Sequence, residues 1–207
     1  MSLASRERAA LCDLLVEVGP DAPTLCEGWD TRDLAAHLHL RETSPLAAGI
    51  LVKPLAGLLE RRQREMASGE WTRLVGRIRK PPPWSPSAVP AIDARMNASE
   101  FFVHYEDVRR AQPGWTPREL SAPDQQALWS LLRAAGKGLY RKATVPVVLR
   151  RPDGAELIVK PGHPAVIVSG PVGELVMHAH GRTDHALVQI DGPSDLVARF
   201  TETPLGV

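Results

Sequence analysis

The chain has 207 residues, of which 43% are apolar, and its 25 basic and 24 acidic side chains give a formal net charge of +1. That balance excludes a disordered chain and one that coats nucleic acid over its whole surface, and the length suits one large domain or two small ones. Two cysteines, Cys12 and Cys26, with no CxxC pair, exclude a disulfide framework and a cysteine-based zinc module, so a reducing, cytoplasmic setting is expected. The polar, charged start MSLASRERAAL lacks the apolar core of a signal peptide. The most apolar stretch, Leu46 to Leu59, is interrupted by Lys53 and Pro54 and falls short of the ~20 residues that span a bilayer. Neither secretion nor membrane insertion is expected.

The first elements follow a helical period. Arg6 to Val18 carries apolar residues at 10, 11, 14, 15 and 18, and Gly19-Pro20 ends the run. A second helix is predicted after Trp29, with Asp30 as its N-cap and Asp33 in the first turn, where the helix dipole favours a negative charge. Residues 46–80 read as helical pieces broken at Pro54 and Gly69. Five prolines in residues 81–90 (PPPWSPSAVP) predict a stiff, extended crossover. One long helix is predicted from Ala91 to Ala111, ended by Pro113-Gly114, and a fourth from about Arg118 to Ala143.

After Ala143 the period shortens. Val145 to Arg150 and Glu156 to Val159 read as strands joined by the hairpin Arg151-Pro152-Asp153-Gly154. A third strand is predicted at Ala165 to Val168, then a short helix from Gly173 to His180 closed by Gly181. A strand at Ala186 to Ile190 and a helix at Ser194 to Thr201 follow. The expected fold class is α+β: a four-helix bundle over residues 1–143, then a small α+β domain over residues 144–207.

The sharpest chemical feature is Glu100-Phe-Phe-Val-His104. Residues four apart on a helix share a face, so this carboxylate and imidazole can bind one divalent ion. Asp93, Asn97, Glu100, His104 and Asp107 form a polar stripe on a helix otherwise rich in large apolar residues. Such a stripe marks either a wet surface or a wet internal cavity. A third ligand should come from another helix, where His37 and His39 lie about 200° apart. His37 shares its side with Leu34 and Leu38, so His37 is expected to point inward and His39 is not. A His₂Glu set with an open position suits Zn²⁺ first, with Fe²⁺, Ni²⁺ and Mn²⁺ as alternatives. Asp107, three residues after His104, is placed either to orient that imidazole or to pair with Arg109 or Arg110.

The segment Leu25-Cys-Glu-Gly-Trp-Asp-Thr-Arg-Asp-Leu-Ala-Ala-His-Leu38 resembles the second-helix motif of the mycothiol-dependent maleylpyruvate isomerase family, within the DinB-like superfamily. Asn97 to Gln112 (NASEFFVHYEDVRRAQ) resembles the third-helix motif of an actinobacterial, metal-binding branch of that family, and the region from Gly170 to Gly192 resembles its small C-terminal domain. The resemblance implies a DinB-like four-helix bundle holding a divalent metal on His37, Glu100 and His104. It also implies a thiol cofactor, mycothiol or another low-molecular-weight thiol, and a small electrophilic substrate. The implied chemistry is attack of an activated thiolate on an electrophilic carbon, as an isomerase or as an S-transferase. The alternative is a metal-binding sensor or interaction module without catalysis. Arg41, one turn beyond His37, is either a clamp for a substrate carboxylate or a surface charge.

Other features carry blander expectations. Met177-His-Ala-His180 with His185 departs from the family's apolar pattern, and these histidines are expected at a surface or domain contact. Cys26 has no His or Lys beside it in sequence and is expected to be a small packed residue. Residues 61–80 hold seven basic and two acidic side chains, which most simply form solvated helix faces. Aromatic residues there are sparse, so no nucleic-acid partner is expected. The chain is expected to act as a monomer or a homodimer.

Overall fold

The computed structural model describes residues 1–43 and 56–206; the expected break at Pro54 lies outside them. Among the described residues no helix is long and apolar enough to cross a membrane. The chain divides into two compact units, Met1–Thr116 and Pro117–Val207. The α+β class is borne out.

The first unit is a helical bundle. Helix α1 (Leu3–Val18) starts at Ser2, whose side chain accepts the Ser5 N–H, and ends at Gly19, whose N–H reaches Leu15 O. Helix α2 (Thr31–Thr43) is capped as its sequence predicts: Asp30 Oδ1 accepts the Asp33 N–H at 2.9 Å. Helix α3 (Ala56–Ala67) ends where Arg32 donates to Ala67 O (2.9 Å) and Gly69 O (3.0 Å). Helix α4 (Trp71–Arg79) is capped by Glu70, which accepts the N–H groups of Thr72 and Arg73. A 3₁₀ turn, Pro86–Ala88, lies within the proline-rich crossover.

The long helix expected from Ala91 to Ala111 is two helices, α5 (Pro90–Met96) and α6 (Ala98–Arg110), meeting at Asn97. The backbone bonds continue through the joint, from Asn97 N to Asp93 O and from Phe101 N to Asn97 O, each 2.9 Å. The Asn97 amide instead turns inward to Asp93 Oδ1 (2.8 Å), Ser87 Oγ (2.9 Å) and Glu42 Oε1 (3.1 Å). Short polar side chains satisfied this way compete with regular helix geometry. Helix α1 packs on α4 and α6, and α2 packs on α3 and α4. Their core includes Leu11, Leu15, Leu34, Ile78, Phe101 and Val108, all fully buried. Each such aliphatic or aromatic side chain contributes about 1.5–3 kcal/mol by burial.

The second unit begins earlier than the expected boundary after Ala143. Helix α7 (Ala122–Leu139), expected as the fourth bundle helix, packs instead on strand β2 (Glu156–Lys160) and on helix α8 (Val172–Ala179). Gly136 permits that approach: a Cβ there would sit 2.8 Å from Val159 Cγ1. The bundle's remaining helical layer is supplied by α3 and α4. Strands β1 (Val147–Arg150), β2, β3 (Val166–Ser169) and β4 (Gln189–Asp191) form a sheet in the order β2-β1-β3-β4. The β1–β2 and β3–β4 pairs are antiparallel and β1–β3 is parallel. Helix α9 (Ser194–Thr201) ends the unit.

His178 is a core residue, not the surface or contact residue expected. Its ring clusters with those of Tyr140 and Phe200, with centroids 6.0 and 5.8 Å away, and the Tyr140 hydroxyl and its Nδ1 share a hydrogen bond at 2.8 Å. Burial pushes its pKa down to about 4. The unfolded chain therefore takes up a proton, from about pH 6.5 downward, that the folded chain refuses. Stability from this residue is complete above about pH 6.5 and falls by about 3 kcal/mol as the pH drops to 4. Urea unfolding from pH 7 to pH 4 should show this slope in the native protein and a shallower one in His178→Gln. Equal slopes would refute it.

Candidate metal centre

Two of the expected ligands stand one turn apart on α6 and the third comes from α2. Glu100 Oε1 lies 3.3 Å from His104 Nε2 and 3.5 Å from His37 Nε2. The three ligand atoms are all within 4.8 Å of one another. Ligands at about 2.1 Å in a tetrahedral shell are separated by about 3.4 Å, which the two distances to Glu100 match.

The surroundings hold these side chains in place. Asp107, fully buried, accepts from His104 Nδ1 at 2.9 Å. That bond assigns the proton to Nδ1 and turns the Nε2 side toward Glu100 and His37. Arg41 Nε lies 3.2 Å from Glu100 Oε1, while its Nη1 donates to Asn97 Oδ1 at 2.6 Å and its Nη2 to Met96 O at 3.2 Å. Each nitrogen of Arg41 thus makes a contact within the protein, so Arg41 is more than a solvated surface charge, while Nη1 and Nη2 each keep a second N–H. The Trp29 ring leans on His37 with centroids 5.0 Å apart.

The electrostatics follow from these contacts. Burial alone would raise the Glu100 pKa, but hydrogen bonds with His104 and His37, and the charges of His104 and Arg41, hold it well below the usual range. Burial alone would lower the His104 pKa, but Asp107, Cys26 and Glu100 raise it well above the usual value. A cation is therefore favoured between the two carboxylates, whether a proton on His104 or a metal beside it.

The structure divides the polar stripe of Asp93, Asn97, Glu100, His104 and Asp107 into three tasks. Asp93 and Asn97 join Arg8 and Glu42 inside the bundle, Glu100 and His104 face His37, and Asp107 supports His104. His39 departs from expectation: it is the buried one, only 8% exposed, on the side of α2 facing α4, while His37 is partly exposed beside Glu100. Helix α2 is covered on both sides, so the two histidines meet different parts of the bundle.

Sequence reasoning missed Cys26. Its Sγ donates to Asp107 Oδ2 at 3.3 Å and lies 3.8 Å from His104 Nδ1. The backbone brings it there: Leu25 N donates to Asp107 O at 3.1 Å, and Gly28, at φ 76°, turns the chain so that Trp29 N reaches Cys26 O. No spacing rule links residues 26 and 107. Among the described residues, Cys26, His104 and Asp107 form a second group close enough to share an ion. In that group Asp107 already accepts from both the imidazole and the thiol, which satisfies the cluster without a metal.

No family model matches the sequence, and no curated protein matches it. Among solved structures, the crystal structure of the mycothiol-dependent maleylpyruvate isomerase aligns over 91% of this chain and 90% of that chain, with a TM-score of 0.53 and 19% identity. The crystal structure of a histidine-to-alanine mutant of that enzyme aligns over 90% of both chains, with a TM-score of 0.58 and 18% identity. The helical bundle and its α+β companion therefore share the fold of the mycothiol-dependent maleylpyruvate isomerase.

Proposed function

We propose that this chain binds one divalent metal ion through His37, Glu100 and His104. With that ion it would act as a thiol-dependent isomerase or S-transferase on a small electrophilic substrate. The observation that carries the reading is the spacing of the three donor atoms, found in a chain with the fold of a mycothiol-dependent isomerase. Zn²⁺ is the first candidate for a set of two imidazoles and one carboxylate, and Fe²⁺, Ni²⁺ and Mn²⁺ accept the same ligands. When bound, such an ion supplies Lewis acidity that lowers the pKa of a thiol or water beside it. The cofactor in this reading is mycothiol or another low-molecular-weight thiol.

The protein's own residues have distinct parts. His37 and His104 offer Nε2 and Glu100 offers Oε1. Asp107 holds the Nδ1 proton of His104 and keeps that ring oriented. Arg41 fixes Glu100, and Asn97 fixes Arg41. The Trp29 indole shields one side of His37 from water.

Two measurements test this reading. In the cobalt-substituted protein, adding a low-molecular-weight thiol should shift the visible spectrum. No shift with any thiol would favour a metal-binding module without thiol chemistry. Asp107→Asn, which removes no ligand, should weaken metal affinity about 10- to 100-fold, measured by competition with a chromophoric chelator. Unchanged affinity would remove Asp107 from the centre.

A further inference from the structure

A second site lies elsewhere on the bundle, two positions and about 200° around α2 from His37. A groove of about 370 Å³ opens between three elements. His39 and Thr43, one turn apart on α2, line one side. Arg77 and Lys80, at the end of α4, line the second. Pro82 and Trp84, from the proline-rich crossover, line the third.

The walls are built rather than loose. Ser85 is buried, donates its hydroxyl to Glu42 O at 2.9 Å and its N–H to Pro82 O at 2.9 Å, so the backbone on both sides of Trp84 is tied down. The Trp84 side chain is nevertheless 68% exposed. Holding a large aromatic ring in water on a fixed backbone leaves a flat apolar face open to a ligand.

The charge is one-sided. Among the described residues no acidic side chain lines the groove. Arg79 pairs with Asp13 at 2.6 Å, whereas among the described residues no carboxylate pairs with Arg77 or Lys80. His39 is buried, and its Nδ1 has no hydrogen-bond partner among the described residues. Two uncompensated cations favour an oxyanion, and guanidinium and ammonium groups are the usual donors to carboxylate or phosphate. An indole and a proline ring favour a planar apolar body on the same molecule.

We propose that this groove binds a small aryl oxyanion, a carboxylate or a phosphate monoester, with its charge at Arg77 and Lys80 and its ring against Trp84. The proposal is independent of the metal centre. Calorimetric titration of the full chain with phenyl phosphate, benzoate, inorganic phosphate and benzyl alcohol tests it. The variants are Arg77→Gln with Lys80→Gln, and Trp84→Ala, all at exposed positions.

The expected result is saturable binding of phenyl phosphate or benzoate, tighter than that of inorganic phosphate or benzyl alcohol, and weakened about tenfold or more in both variants. Tighter binding of phenyl phosphate would assign the source to phosphate monoesters, and of benzoate to carboxylates. Either supports the site. No saturable binding of either aryl anion would overturn it. So would equal affinity in the variants, or binding of benzyl alcohol or inorganic phosphate as tight as that of the aryl anions.

Discussion

Replacing His37 or His104 by alanine is expected to abolish stoichiometric metal binding, taking the protein from about one divalent ion per chain to almost none by elemental analysis. The expected loss of affinity exceeds the roughly 100-fold upper range for removing an outer-sphere partner, because a ligand itself is lost. His37→Ala is the cleaner variant. His37 is partly exposed and meets Glu100, Trp29 and His104, so its loss leaves the packed bundle core in place. His104→Ala also frees the buried Asp107 carboxylate from its imidazole partner, and some loss of stability will accompany the loss of metal.

Cys26→Ser separates the two groups that meet at His104. If the ion sits on the Nε2 side with Glu100 and His37, Cys26→Ser retains it. If the ion sits on the Nδ1 side with Asp107, Cys26→Ser loses it while His37→Ala does not. Full occupancy in both histidine variants would sink the proposed centre.

Local patterns made much of the fold readable. The Asp30 cap, the Gly19 stop and the Arg151–Gly154 hairpin involve neighbours in sequence, and all three occur as read. The Glu100–His104 spacing is equally local, because four residues on a helix fix a shared face. His37 required a choice between two candidates, and helical phase placed it beside Glu100. Phase alone misjudged His39, because it assumed that α2 has one covered side. Residues whose surroundings are long-range escaped notice. Cys26 reaches Asp107 across 81 positions, and Arg8 reaches Asp93 across 85. The assignment of α7 to the sheet was hidden for the same reason: its amphipathic stripe says that it packs, but not against what.

Arg8→Met is expected to destabilise the bundle by about 3–5 kcal/mol, a large part of the roughly 5–15 kcal/mol that holds a typical domain folded. Arg8 is only 5% exposed and donates to both oxygens of Glu42, at 2.5 and 2.6 Å, to Asp93 at 2.6 Å and to Ile78 O at 2.8 Å. Its guanidinium also stacks 4.1 Å from the centre of the Phe101 ring. Removing it strands two buried carboxylates next to each other. Desolvation is then uncompensated, which costs more than the original pair contributes.

Adding Glu42→Gln and Asp93→Asn to Arg8→Met removes the stranded charges and should recover about half of the lost stability, measured by urea unfolding. No recovery would mean that the damage lies in packing against Phe101 rather than in charge. The same variants report on the metal centre. Glu42 and Asp93 hold Asn97, Asn97 holds Arg41, and Arg41 holds Glu100. If that chain positions the carboxylate ligand, metal affinity should fall in the rescued triple variant by up to about tenfold although the protein is folded. Unchanged affinity would confine the network to stabilising the bundle and leave Arg41 and Glu100 positioned by α2 and α6 alone.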